Sequence, residues 1–304
     1  MSHSYLSYIR LKALATLLRA ATRFTNPRAK APDDTFYIDS SSTKRKIKIN
    51  VYRPATPRKP SPVVINWVAT GFMMDSHGAD EGFCQYIAKN SEYTVLDASY
   101  TLAPENPFPA ALEDVADTIN YVFSKPEEYD TNNVVLSGFS SGANLAFSIT
   151  ANRESAIPRD RLRSIMTFYS VLDWSTPPAE KKAPYGGAPT IPPFLLNILA
   201  DCYVPPGVDR ADPRVSPARA DPHDVPQNIL TVTCAKDSLA LEAEEFTRKA
   251  EAAGKKVTIK RLDDVDHAFD KQPVAWKEGT KENERREEAY SAAVKFLQEV
   301  YESS

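Results

Sequence analysis

Cysteine is scarce. The 304-residue chain has three, Cys84, Cys202 and Cys234, with no CxxC spacing and no paired His/Cys ligand pattern. That excludes a disulfide-stapled scaffold and a structural zinc module, and it fits a reduced, cytoplasmic protein. An excess of one charge is also missing. Basic and acidic residues are interspersed and the formal net charge is −3, so the electrostatic footprint of a nucleic-acid binder is absent. Long apolar runs are lacking too. Near the N-terminus, Arg10, Lys12 and Arg19 interrupt the stripe Tyr5, Leu6, Ile9, Leu11, Ala13, Leu14, Leu17, Leu18 and Ala21. The interruptions exclude a signal-peptide core or a span of about 20 apolar residues, and with it stable membrane insertion. The stripe reads as an amphipathic helix packed over the protein's own pocket, in preference to one lying on a membrane surface. No internal repeat or low-complexity tract is visible. Histidine is limited to four positions, His3, His77, His223 and His267, which narrows any search for a general base.

What is present has a regular order. With 42% hydrophobic residues the chain can bury one large core. Strand-like runs are expected at 35–39, 46–52, 63–68, 94–99, 134–136, 165–170, 229–234 and 256–261, the second of them antiparallel and near an edge. Helical patterns fall at 81–89, 110–123, 143–152, 241–252 and 282–301. Alternation of this kind predicts an α/β fold, a mostly parallel eight-stranded sheet flanked by helices. Residues 173–218 break it with dense proline around an amphipathic piece at 194–203, which predicts an excursion over the surface. The expected organisation is an N-terminal helical part of a cap at 1–34, a core at 35–172, a cap insertion at 173–211 and the rest of the core at 212–304.

Chemistry enters at Gly138-Phe139-Ser140-Ser141-Gly142, where an apolar strand runs directly into a helical stretch. The pattern is that of a nucleophile elbow: a serine on a sharp strand-to-helix turn, with glycines where Cβ atoms would collide. A serine hydroxyl needs a general base, and the base needs an orienting carboxylate. Asp237 follows the strand at 229–234, and His267 lies between the last strand and the terminal helix, so both stand in the order such folds require. Asp237 could instead serve as a helix cap. Asp263, Asp264 and Asp266 are rival partners for the imidazole, and Asp237 is chosen by position. Among the apolar residues, Trp67, Phe72, Met73 and Phe139 are candidates to line a substrate pocket, although such residues at a strand end also serve as core.

Two longer segments carry a resemblance. Tyr100-Thr101-Leu102-Ala103-Pro104-Glu105, with Pro107-Phe108-Pro109-Ala110-Ala111 and Glu113-Asp114, is similar to the YRLAPE…PFPAxxED run of the hormone-sensitive-lipase-like (GDXG-type) α/β-hydrolases. Asp212-Pro213-Arg214-Val215-Ser216-Pro217 resembles that family's DPxxSP segment. The chain resembles the family over essentially its whole length, fungal members in particular. The resemblance implies the α/β-hydrolase fold with a helical cap, a cofactor-free serine carboxylesterase or lactonase, and a triad of Ser140, Asp237 and His267. It further implies an oxyanion hole from the N–H groups of Thr70, Gly71 and Ser141, and a small-molecule ester, lactone or thioester as substrate, here a fungal secondary metabolite.

One departure stands out. Where the family carries HGGG or HGSG, this chain reads Val68-Ala69-Thr70-Gly71. Neutral drift and specialisation toward one bulky or unusual substrate are both open at this point. So are two rival functions on the same scaffold, a non-hydrolytic enzyme of acyl transfer, macrocyclisation or polyketide release, and a catalytically silent receptor. A homodimer is likewise open.

Overall fold

The computed structural model of the protein describes residues 4–25, 31–153, 155–186 and 191–303. His3, parts of the expected N-terminal segment (1–3 and 26–30) and part of the expected insertion (187–190) lie outside the described residues.

Eight strands form one sheet: β1 (Asp34–Asp39), β2 (Lys46–Tyr52), β3 (Ser61–Trp67), β4 (Thr94–Ala98), β5 (Tyr129–Phe139), β6 (Ser164–Phe168), β7 (Asn228–Cys234) and β8 (Lys256–Leu262). Their spatial order is β1-β2-β4-β3-β5-β6-β7-β8. The pairs β1–β2 and β2–β4 are antiparallel and all others are parallel. β3, β4 and β6 are buried along their whole length, which explains why they read as continuous apolar runs: helices cover both faces of a parallel sheet. Between and around the strands lie α1 (Tyr5–Thr25), α2 (Glu81–Asn90), α3 (Ala110–Phe123), α4 (Ser141–Ala151), α5 (Pro193–Tyr203), α6 (Ala240–Ala252) and α7 (Lys281–Glu302).

Side chains alternate between the two faces of each strand. Thus Val63, Ile65 and Trp67 join one core with residues of α3, α4, α5 and α6, whereas Val64 joins a second core built on Phe83 and Ile87 of α2 and Tyr290 and Leu297 of α7. α1 packs against α5. Its contribution to the first core is narrow, chiefly Leu11 and Ala15.

Most boundaries shift by one or two residues from expectation, and three of the differences have a clear physical reason. β5 extends back to Tyr129, because the polar residues Asp130 to Asn133 continue a strand whose pairing with β3 shifts register between Ser61 and Val63. β6 stops at Phe168, since Tyr169 turns the chain with a φ of 39°. α4 starts at Ser141, two residues before its apolar pattern begins, because the elbow leads into the helix without a linker.

Candidate active site

The turn from β5 into α4 places Ser140 at φ 50° and ψ −111°, outside the regions an L-residue prefers. The surroundings over-determine that strain. A Cβ on Gly138 would meet the Gly142 carbonyl carbon at 2.4 Å, and a Cβ on Gly142 would meet the Trp67 carbonyl oxygen at 1.8 Å. Only glycine fits at either place. Ser140 N–H donates to Phe168 O at 2.9 Å and its carbonyl accepts from Asn144 N–H at 3.0 Å, so the elbow is pinned from both sides. Asn144 Nδ2 in turn donates to Val171 O at 2.8 Å and Val215 O at 3.0 Å, tying α4 to both ends of the proline-rich excursion.

Sequence-distant groups converge on this serine. His267 Nε2 lies 3.0 Å from Ser140 Oγ, and His267 Nδ1 lies 2.7 Å from Asp237 Oδ2. Asp237 is fully buried and its Oδ1 accepts from Leu239 N–H at 3.0 Å, so its orienting and helix-entry duties coexist. The imidazole bond goes to Asp237, not to Asp263, Asp264 or Asp266. His77 bonds Asp97 and His223 bonds Asp221; neither is bonded to Ser140. Tyr169 packs its ring edge-on against His267, with centroids 4.7 Å apart.

The expected oxyanion donors divide. Ser141 opens α4, so its N–H has no partner four residues back, and Gly71 sits at φ 54° with no backbone acceptor for its N–H among the described residues. Thr70 differs: its N–H donates to Ser141 Oγ at 3.0 Å. The surrounding hydroxyls account for every proton. Tyr100 O–H donates to Val68 O at 2.8 Å, and its oxygen lies 2.6 Å from Thr70 Oγ1 and 3.0 Å from Ser141 Oγ. Both of those hydroxyls can therefore donate to Tyr100 while Ser141 Oγ accepts from Thr70 N–H. The lost glycines of this loop carry no backbone penalty, because positive φ occurs at Gly71 and Phe72, not at Val68, Ala69 or Thr70.

The four candidate pocket residues need correction. Trp67, Phe72, Met73 and Phe139 are all 0% exposed and present no surface at the mouth of the site. Phe139 belongs to the second core: its ring stacks on Phe168 at 4.3 Å and meets Phe83 edge-on, because its side chain points away from the face that carries the first core. Phe72 stacks on Tyr203 of α5 at 3.6 Å and lies edge-on to Trp174.

Sequence reasoning did not find the polar cluster beneath the elbow. Lys271 Nζ lies 3.6 Å from the centroid of the Phe139 ring and pairs with Asp80 at 2.8 Å and Asp270 at 2.9 Å. Asp270 also accepts from Tyr169 and Tyr290, both at 2.8 Å. Asn66 joins Asp80 to Asp97 at 2.9 and 3.1 Å. Burial pushes the Asp80 carboxyl up to about 6, Lys271 opposing and Asp97 reinforcing the shift. Burial alone would lower Lys271, but Asp270 and Asp80 outweigh it and hold the ammonium charged. The cluster ties the histidine loop to the segment before α2.

In the sequence Arg19 is only an interruption of an apolar stripe. It makes a two-pronged pair with Glu105 at 2.7 and 2.8 Å and donates to Met73 O at 2.6 Å and Ala103 O at 2.8 Å. It fastens α1 to the loop beyond Gly71 and to the Tyr100–Glu105 segment.

Carboxylesterase 20 of Arabidopsis thaliana is 25% identical over 170 residues, 53% of this chain and 52% of that protein, so the match spans about half of that relative. Ethyl acetate hydrolase of Pseudomonas putida is 26% identical over 255 residues, covering 79% of this chain and 77% of its own length. Among solved structures, a fungal esterase of Rhizomucor miehei superposes with a TM-score of 0.77 at 20% identity, covering 99% of this chain and 97% of that one. The carboxylesterase EstE1, cloned from a metagenomic library, gives 0.74 at 23% identity over 95% and 96%. At those identities the structures speak for the fold. Residues 69–271 match the family model for the alpha/beta hydrolase fold, and the chain belongs to that family, as its hormone-sensitive-lipase-like motifs imply.

Proposed function

We propose that this protein is a cofactor-free serine hydrolase that cleaves a carboxylic ester, lactone or thioester of a small apolar molecule, in keeping with a fungal secondary metabolite. The observation that carries the reading is the hydrogen-bonded series Ser140–His267–Asp237 at 3.0 and 2.7 Å. Ser140 Oγ attacks the carbonyl carbon as its proton passes to His267 Nε2. The N–H groups of Gly71 and Ser141 receive the developing oxyanion, with Thr70 as the residue that shapes the loop. Protonated His267 then hands its proton to the leaving oxygen or sulfur, and the acyl group remains on Ser140. Water repeats the sequence and frees the acid. Asp237 holds the imidazole tautomer and stabilises its charged form. Support from relatives is chemical: the Pseudomonas putida protein is named for hydrolysis of ethyl acetate, and the Arabidopsis protein is named a carboxylesterase.

Turnover of p-nitrophenyl acetate and butyrate, measured beside Ser140→Ala, tests this directly. We expect serine-dependent hydrolysis that the variant loses by at least roughly three orders of magnitude, and a fluorophosphonate adduct that maps to Ser140. Equal rates for the two proteins with both esters, together with an unlabelled Ser140, would remove the hydrolase reading.

A further inference from the structure

Among the described residues, the face of α1 turned away from the body has no partner. Ten large apolar side chains are exposed across the described residues, and four of them, Tyr5, Leu6, Ile9 and Leu17, belong to this one helix. Leu6 and Leu17 are 79% and 68% exposed. At 100° per residue, Leu6, Ile9, Ala13 and Leu17 fall on one stripe, with Arg10 on one side of it and Lys12 on the other; both cations are exposed. Leu11, Ala15 and Arg19 occupy the opposite side, against the body. The helix therefore carries apolar side chains on two faces, and inward packing has used one.

Its charge selects the occupant of the other. From Tyr5 to Thr25 the helix carries four basic residues and no acidic one, in a chain whose net charge is −3. The nearby exposed acid Asp201 of α5 is neutralised by Arg210 at 2.7 Å. A second copy docked through the same stripe would set Arg10 and Lys12 against their own equivalents. One helix face also falls short of the ~1,200–2,000 Å² that a stable protein interface buries. Insertion across a bilayer is closed, because no helix among the described residues is long and apolar enough to cross one. An aliphatic stripe flanked by cations does fit the boundary between acyl chains and anionic headgroups.

We propose that the outer face of α1 docks this protein reversibly on an anionic lipid surface, with Leu6, Ile9 and Leu17 entering the headgroup boundary and Arg10 and Lys12 meeting lipid phosphates. The proposal is independent of the hydrolase reading, since it requires no turnover. Docking by this face also brings the arm that Arg19 fastens to the Met73 loop against the lipid.

Co-sedimentation of the full chain with vesicles of phosphatidylcholine alone, and of phosphatidylcholine mixed with phosphatidylglycerol, tests it. The chain should pellet with the mixed vesicles, release as salt is raised, and stay in solution with the neutral ones. The double variant Arg10→Glu/Lys12→Glu should bind at least about tenfold more weakly, from roughly fivefold per cation, and Leu6→Glu/Leu17→Glu should abolish binding. Since these side chains point to solvent, both variants should keep the circular dichroism and melting temperature of the parent. Retained binding in either folded variant, or equal pelleting with neutral vesicles, overturns the proposal. So does a concentration-dependent dimer that Leu17→Glu dissolves with no lipid binding by the parent, which would assign the face to a second copy.

Discussion

Ser141 serves the site twice. Its backbone N–H has no partner four residues back and, on the proposed mechanism, receives the oxyanion, while its hydroxyl accepts from Thr70 N–H and reaches Tyr100. No reading of the pentapeptide reveals this, because the bond joins residues 71 positions apart and depends on how β3 and β5 lie side by side. Ser140, Asp237 and His267 were legible for the opposite reason: each follows a strand with a recognisable pattern, and chain order supplies the rest. For Asp237 the expectation is specific. Asp237→Asn should leave the fold intact and lower kcat by about three to four orders of magnitude, as removal of the orienting carboxylate does in a protease triad. Steady-state kinetics on p-nitrophenyl butyrate checks it; a loss of under tenfold would show that Asp237 acts chiefly at the entry to α6.

At the scale of elements, the elbow joins three parts without slack. β5 delivers the serine, α4 begins one residue later, and β3 presses its last carbonyl against Gly142. Gly142→Ala should therefore push β3 and α4 apart, which overpacking data place at 1–3 kcal/mol or more for strain of this kind. We expect either an insoluble product or a melting temperature several degrees lower, with fluorophosphonate labelling lost in any folded fraction. An unchanged melt would mean that the contact relaxes cheaply. Strand identity was readable wherever burial on both faces makes a run uniformly apolar, as in Val63–Trp67. It failed at Asp130–Asn133, a polar run that β5 carries through a register shift, with Tyr129 paired to Ser61 before it and Val134 to Val63 after it. The cluster around Lys271 was unreadable for a related reason: a lysine four residues after His267 looks like surface until the fold closes Asp80, Asp270 and Phe139 around it.

Across the whole molecule, the proline-rich excursion is strapped at its roots. Asp173 accepts from Ser175, Thr176 and Arg219, and Trp174 N–H donates to Ser216 Oγ at 2.7 Å. Burial by itself would raise the Asp173 carboxyl, yet these donors overcome it and hold it at about 2, below the usual 3.8. A depressed carboxylate stabilises the fold above its unfolded pKa, and that contribution disappears as pH falls through the folded value. Acid unfolding of the parent should accordingly steepen between about pH 4 and pH 2. Asp173→Asn should flatten that limb and lower stability at neutral pH, as urea melts across the range would record; identical profiles would show that the strap is energetically idle.

Arg19 has a mechanical consequence. A single guanidinium bridges the N-terminal arm, the segment after Gly71 and the turn ending in Glu105, with four bonds between 2.6 and 2.8 Å. The arm is therefore held as a latch is, with its bolt near one end, while Leu11 and Ala15 seat the preceding turns against the body. Drawing that bolt would remove one shared restraint from the segment after Gly71 and from the turn ending in Glu105 at once, because the same side chain holds both.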